Sequence, residues 1–119
     1  MTVDTLPLFL NPVAGRGRAG KHARPIIDLL AANGVRVTLR ESTAVADLER
    51  QVRDYAKDNP GPIIVAGGDG SVHEAVNGLL AAGGNNAMGL IPIGTGNDFA
   101  KACSISLEWE TAATLLATR

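Results

Sequence analysis

The chain has 119 residues, 45% of them hydrophobic and 19% charged, with a formal net charge of −1; this is the makeup of one compact globular domain with a modest core. Near-neutral charge leaves no electrostatic footprint for nucleic acid or an anionic membrane, and 3% aromatic residues supply too few rings for a base-stacking platform. Cys103 is the single cysteine, which excludes an internal disulfide and suits the reducing cytoplasm, and neither a signal-peptide layout nor an apolar run near the ~20 residues of a membrane-spanning helix is found.

Leu6 to Leu10 is an apolar run that predicts the first strand, with Pro7 near its start, where a missing N–H is tolerable. The following Asn-Pro-Val-Ala-Gly-Arg-Gly-Arg-Ala-Gly, residues 11–20, reads as a glycine-rich loop. From Lys21 to Asn33 the positions Ala23, Ile26, Ile27, Leu29 and Leu30 keep helical spacing, with Gly34 at the C′ stop. Pro25 is then expected in or near the first turn. Val35, Val37 and Leu39 alternate with Arg36, Thr38 and Arg40, a second strand with one wetter face. Ser42 or Thr43 is expected to cap a second helix reaching Lys57, with Val45, Leu48, Val52 and Tyr55 turned inward.

Asn59-Pro60-Gly61 is a turn, and Ile63 to Ala66 a short buried strand. Gly67-Gly68-Asp69-Gly70 leads from it into a third helix, which Gly83-Gly84-Asn85-Asn86 closes. Met88 to Ile93 predicts a fourth strand, followed by Gly94-Thr95-Gly96-Asn97-Asp98, a short helix from Phe99 to Cys103 and a last one from Leu107 to Thr118. Strands and helices therefore alternate four times, which calls for an α/β fold: three layers, α/β/α, around a mainly parallel sheet. Ligands of such a sheet sit off the carboxyl ends of the strands. The three glycine-rich loops all fall at that edge, which predicts one shared site.

The first loop carries two partial motifs. Gly15-Arg16-Gly17-Arg18-Ala19-Gly20 matches GxGxxG, and Glu41 lies where a dinucleotide fold places its acid. In that fold, however, the first glycine turns directly off the strand, and here residues 11–14 intervene. Gly15 to His22 also approaches a nucleoside-triphosphate loop, but His22 stands where a hydroxyl should hold Mg²⁺. Arg16, Arg18 and Lys21 either supply positive charge near phosphates or are surface, while Asn11 and Gly15 shape the loop.

The second loop is more specific. Three glycines around one carboxylate, followed at once by a helix, aim backbone N–H groups and the positive helix end at one spot that suits a phosphate. Asp69 would repel a bare phosphate, so it is expected to serve a metal ion or a hydroxyl. Ser71 caps the helix, binds a phosphate oxygen, or does both; Glu74, three residues on, fits a capping box as well as a catalytic role. His73 reads as a solvent-facing helix residue. In the third loop Thr95 offers a hydroxyl and Gly94 and Gly96 accessible backbone, with Asn97 and Asp98 as caps or braces rather than reactive groups. Cys103 reads as a small buried apolar side chain.

Through these blocks the sequence resembles the catalytic domain of the diacylglycerol kinase family, the soluble lipid kinases that include the sphingosine kinases. The carriers are Asn11-Pro12-Val13-Ala14-Gly15, the block from Gly67 to Leu79, and the block from Pro92 to Ala100, in matching order and spacing along nearly the whole chain. Gly-Gly-Asp-Gly alone is shared with NAD kinases and phosphofructokinases; the third block narrows the choice. Ser71 replaces the family's usual threonine and keeps the hydroxyl.

The resemblance implies ATP and Mg²⁺ as cofactors. It implies a nucleotide site lined by Asn11, Gly15, Ser42 (or Thr43), Gly67, Gly68, Asp69, Gly70, Ser71, Val72, His73 and Thr95. Asp69 is implied as the catalytic and metal-binding carboxylate, and phosphoryl transfer to a lipid hydroxyl as the reaction. Kinases of this type continue into a β-rich second domain that supplies the lipid pocket, so residues 1–119 are expected to be the nucleotide-binding half alone, inactive on lipid by itself. An exposed sheet edge or a bared domain surface would allow self-association into a homo-oligomer. The alternatives are an NAD kinase, which leaves the third block unexplained, a Rossmann-type oxidoreductase, which leaves two blocks idle, and a stand-alone nucleotide-binding or interaction module.

Overall fold

The computed structural model describes residues 5–13, 17–44, 46–84, 86–93, 110 and 112. Its elements run β1 (Leu6–Leu10), α1 (Arg18–Ala32), β2 (Val37–Glu41), α2 (Asp47–Asp58), β3 (Ile63–Gly67), α3 (Asp69–Ala82) and β4 (Met88–Pro92). The four strands form one sheet in the order β2-β1-β3-β4, and every neighbouring pair is parallel. Among the described residues no helix is long and apolar enough to cross a membrane.

Period-two alternation assigns each strand residue to a face. Leu8, Leu10, Ile64, Ala66 and Ile91 point to one face, where Ala19, Ala23, Ile26 and Leu30 of α1 cover them. Phe9, Ile63 and Val65 point to the other, under Leu48 and Val52 of α2 and Ala75 of α3. Both faces of β1 and β3 are thus buried, which is why these strands read as unbroken apolar runs. Burying a side chain such as Phe9 or Leu10 completely contributes about 1.5–3 kcal/mol, against which the ordering entropy of the chain must be set. Tyr55 of α2 meets Phe9 edge-on at 5.9 Å between ring centroids, and Arg40 lies 5.3 Å over the Tyr55 ring.

On the α2–α3 side the two helices close to backbone contact at Gly78. A Cβ placed there would lie 2.5 Å from the Glu49 carbonyl oxygen and 3.0 Å from the Arg53 nitrogen. α3 ends on Gly83 in the left-handed conformation, φ 66°, as a glycine C-cap should.

Several boundaries differ from the sequence-based expectation. α1 starts at Arg18 behind Gly17, φ 86°, so the glycine-rich loop is shorter than its composition suggests. Pro25 consequently lies inside α1 rather than in its first turn. It sits on the exposed side of the helix, where the carbonyl it leaves without an N–H partner is open to water. β2 is displaced towards its carboxyl end, to Val37–Glu41, while the Val35 N–H turns back to the Leu30 carbonyl at 2.8 Å. α2 begins at Asp47, its N-cap is Ala46, and neither Ser42 nor Thr43 caps it. The segment Gly94–Ala100, the whole expected helix Phe99–Cys103 and most of the last one fall outside the described residues; Glu110 and Ala112 are helical.

Candidate functional site

Because all four strands are parallel, their carboxyl ends Leu10, Glu41, Gly67 and Pro92 share one edge of the sheet. Short bonds hold those ends in line: Ser42 N–H donates to the Leu10 carbonyl and Ile93 N–H to the Gly67 carbonyl, each at 3.0 Å. β1 leads through α1 to β2 on one side, while α2 carries the chain back across to β3. The connections therefore diverge between β1 and β3, which is the switch point where this architecture opens a crevice.

The turn after β1 is built by its own residues. Asn11 Oδ1 accepts the Val13 N–H at 3.1 Å, an Asx turn. Gly20 N–H donates to the Pro12 carbonyl at 3.0 Å. A Cβ on Gly20 would come within 2.8 Å of that oxygen, so this glycine serves close packing of α1 on the loop. Gly15, Arg16 and the Arg18 side chain lie outside the described parts, and Lys21 is exposed.

The turn after β3 passes through Gly67 at φ 154°, a region side chains rarely adopt. A Cβ on Gly67 would lie 2.5 Å from Ser71 Oγ. Gly68 is the N-cap of α3 and makes no side-chain cap bond, and a helix start of this kind suits an anion. Asp69 is the one acidic residue of that turn. Gly70, exposed beside it, has nothing among the described residues within 4 Å of the position a Cβ would take. Their packing gives no reason for glycine there. A ligand approaching the backbone would.

Ser71 is therefore not the cap: it lies inside the first turn, 5% exposed, against Gly67. With the helix starting at Asp69 there is no capping box for Glu74 to complete. Its Oε1 is buried without a hydrogen-bond partner among the described residues. His73 faces solvent, its Nε2 3.1 Å from Asn77 Nδ2. Val72 packs inward against Leu90, so only its backbone faces the turn. Among the described residues no group of three His, Cys, Asp or Glu side chains could hold a metal; a cation at Asp69 would need a ligand's oxygens or water to complete its shell.

On the β2 side Ser42 is buried and leads into a segment gripped by Asp47. The Asp47 carboxylate, 8% exposed, accepts the Thr43 N–H at 2.8 Å and Thr43 Oγ1 at 3.1 Å. It also accepts Arg50 Nε at 2.9 Å and Gln51 Nε2 at 3.0 Å. The Thr43 N–H first, and the Arg50 guanidinium next, hold its carboxyl below the ordinary aspartate value, while Asp47 in turn raises Arg50. Sequence reasoning missed Asp47, because a helix placed directly after Ser42 or Thr43 makes it one more surface acid. Asn11, Ser42 and the turn Gly67–His73 are brought to one edge; Thr95, in the third glycine block, lies outside the described residues. Two cavities lie elsewhere, one of about 290 Å³ between Arg40, Gln51 and Tyr55 and an apolar one of about 310 Å³ at the opposite strand ends, lined by Leu6, Leu30 and Met88.

A parallel sheet with both faces covered, and glycine turns feeding helix starts at its carboxyl edge, defines the class: a doubly covered α/β domain with a candidate site at the switch point. The comparisons take this to a family. Residues 5–119 match the family model described as "Diacylglycerol kinase catalytic domain". The chain is 34% identical over 101 residues to the diacylglycerol kinase of Bacillus subtilis, covering 85% of this chain and 33% of that protein. It is 34% identical over 109 residues to a protein of Shewanella frigidimarina named "Probable lipid kinase YegS-like", covering 89% and 34%. Among solved structures, a diacylglycerol kinase from Bacillus anthracis superposes with a TM-score of 0.82 at 29% identity, covering 99% of this chain and 43% of that one. The chain belongs to the diacylglycerol kinase catalytic domain family, and it spans about a third of the length of the two relatives.

Proposed function

We propose that this chain binds ATP with Mg²⁺ at the carboxyl edge between β1 and β3, as the nucleotide-binding part of a lipid kinase that transfers a phosphoryl group to a lipid hydroxyl. The observation that carries the reading is Gly70, a glycine that packing among the described residues does not require, in a helix start whose N-cap, Gly68, makes no side-chain bond, beside Asp69. Polyphosphate binding needs bare backbone N–H groups at close range and a carboxylate for the accompanying cation. The first turn of α3 offers both.

In this reading the N–H groups of Gly70 and Ser71 receive phosphate oxygens and Asp69 holds Mg²⁺ together with those oxygens and water. Bound there, the cation neutralises phosphate charge, and the residues present suit it, since Mg²⁺ commonly takes one or two protein carboxylates and fills its shell from the substrate. Asn11 shapes the β1 turn, Gly67 lets the backbone pass Ser71, and Ser42 borders the site from β2. Gly15 and Thr95 are proposed to complete the lining. The relatives are more than twice as long as this chain, which leaves room in them for a separate acceptor-binding domain; we assign the lipid pocket to such a domain.

Calorimetric titration of residues 1–119 with ATP–Mg²⁺ and, separately, with NAD tests the reading. Saturable binding of ATP–Mg²⁺, weakened by Gly70→Ala and by Asp69→Asn, is expected, without lipid-dependent turnover. Binding of NAD in preference to ATP–Mg²⁺, or equal ATP affinity in both variants, would overturn it.

A further inference from the structure

We propose that Asp47 is a positioning residue for the nucleotide: from the first turn of α2 it grips Thr43 and so keeps the preceding Ser42 at the end of β1, where its N–H meets the Leu10 carbonyl. The proposal rests on the reading of this edge as a nucleotide site. Three observations carry it.

The first is where the carboxylate faces. An acid at a helix start that merely caps the helix bonds N–H groups of that helix. Asp47 has none of these among its hydrogen-bond partners; it reaches back to the Thr43 N–H and Oγ1, while Arg50 and Gln51 support it from α2. The second is Gln51, whose Nε2 bonds both Asp47 Oδ2 and the Glu41 carbonyl, each at 3.0 Å. One amide therefore ties the end of β2 and the anchor together. It does so while leaving Oε1 buried without a partner among the described residues, because turning the amide over would set oxygen against two oxygens.

The third is Ala46, the one non-glycine residue with positive φ among the described residues, at 66°. Alanine takes up that conformation only where its surroundings over-determine it. Ala46 directly precedes Asp47 and closes the segment whose other end, Ser42, is bonded to the end of β1. The strained residue, the buried carboxylate and the doubly used amide all restrain the same few residues, on the strand next to the β1 turn.

The test compares ATP–Mg²⁺ affinity by calorimetry with stability by urea unfolding, at a temperature where every variant is folded. Asp47→Ala is expected to weaken binding about tenfold, the usual scale for removing a partner that orients a liganding group. Asp47→Asn, whose carbonyl can still accept the Thr43 N–H, is expected to restore part of that loss. Gln51→Met, which removes both amide bonds and the orphaned oxygen with little change of volume, is expected to weaken binding at near-unchanged stability, and serves if Asp47→Ala fails to fold. Asp54→Asn, which takes away the other partner of Arg50 and touches no loop atom, is expected to bind as the wild type does. So is the core variant Leu30→Val on the opposite face, although it loses stability. Wild-type affinity in Asp47→Ala, or in Gln51→Met where the former does not fold, overturns the positioning role and leaves the nucleotide site standing. Failure of the wild type to bind ATP–Mg²⁺ overturns both.

Discussion

Replacing Gly78 by alanine sets two effects of opposite sign against each other. Helix propensity alone favours the change: glycine in a helix interior is about 0.8–1 kcal/mol worse than alanine. Packing opposes it, because the new Cβ would lie 2.5 Å from the Glu49 carbonyl oxygen, 3.0 Å from the Arg53 nitrogen and 3.0 Å from Val52 Cβ. Two of those three neighbours are backbone of α2, which cannot swing aside as a side chain can. The helices must separate, loosening Leu48, Val52 and Ala75 in the core beneath them. Overpacking of this kind costs about 1–3 kcal/mol, and backbone neighbours argue for the upper end. Subtracting the propensity gain leaves a net loss of about 2 kcal/mol, a substantial part of the 5–15 kcal/mol typical of whole domains. Urea unfolding followed by circular dichroism reads this as a lower midpoint at unchanged slope. A variant as stable as the wild type, or more so, would show that the close approach is not limiting and refute the reasoning.

Gly70→Ala is expected to behave oppositely, with stability unchanged or raised by up to about 1 kcal/mol and ATP–Mg²⁺ affinity reduced, by the same unfolding assay and calorimetry. Gly67→Ala combines an unfavourable φ of 154° with a clash on Ser71, and is expected to cost about 2–4 kcal/mol; Ser71→Ala in the same chain should recover part of this, as read by a double-mutant cycle. Asp47 is held below the aspartate value of 3.8 by Thr43 and Arg50, so its contribution is fully present above that value. It declines as pH falls through 3.8, where the unfolded chain takes up the proton first, and is gone below the folded value. Asp47→Asn should therefore flatten the acid limb of urea midpoints measured between about pH 6 and pH 3. Removing Mg²⁺ with EDTA should weaken ATP binding to the wild type and change little in Asp69→Asn, by calorimetric titration.

The elements that were legible in the sequence are those whose environment is written in their own residues. β1 and β3 are buried on both faces, so Leu6–Leu10 and Ile63–Ala66 announce themselves as apolar runs. Leu48 and Val52 give α2 its inward face, and Gly83 its neighbour a stop. The starts of α1 and α2 were not legible, for two different reasons. Gly20 reads as loop by composition, yet it belongs to a helix because it lies against the Pro12 carbonyl, a contact made through space. Ser42 and Thr43 have the chemistry of caps, but Asp47 draws Thr43 back and delays the helix to its own position. At the candidate site the Gly67–Gly70 turn was visible as a motif, since its glycines act through the local backbone. Asp47 was not, because what it grips depends on how the chain folds back four residues earlier. The third glycine block, with Thr95, and Gly15 in the first lie outside the described residues.

β3 is a partition. Ile63 and Val65 belong to one chamber of the interior, Ile64 and Ala66 to the other, so a slackening of either chamber is handed to the same thin wall. That wall ends at Gly67, one residue short of the turn that carries Asp69. Leu30 under α1 packs in the cluster of Ile64 and Ala66, and Val52 under α2 in that of Ile63 and Val65. Two separate halves of the core thus lean on one strand, and that strand ends at the mouth of the crevice.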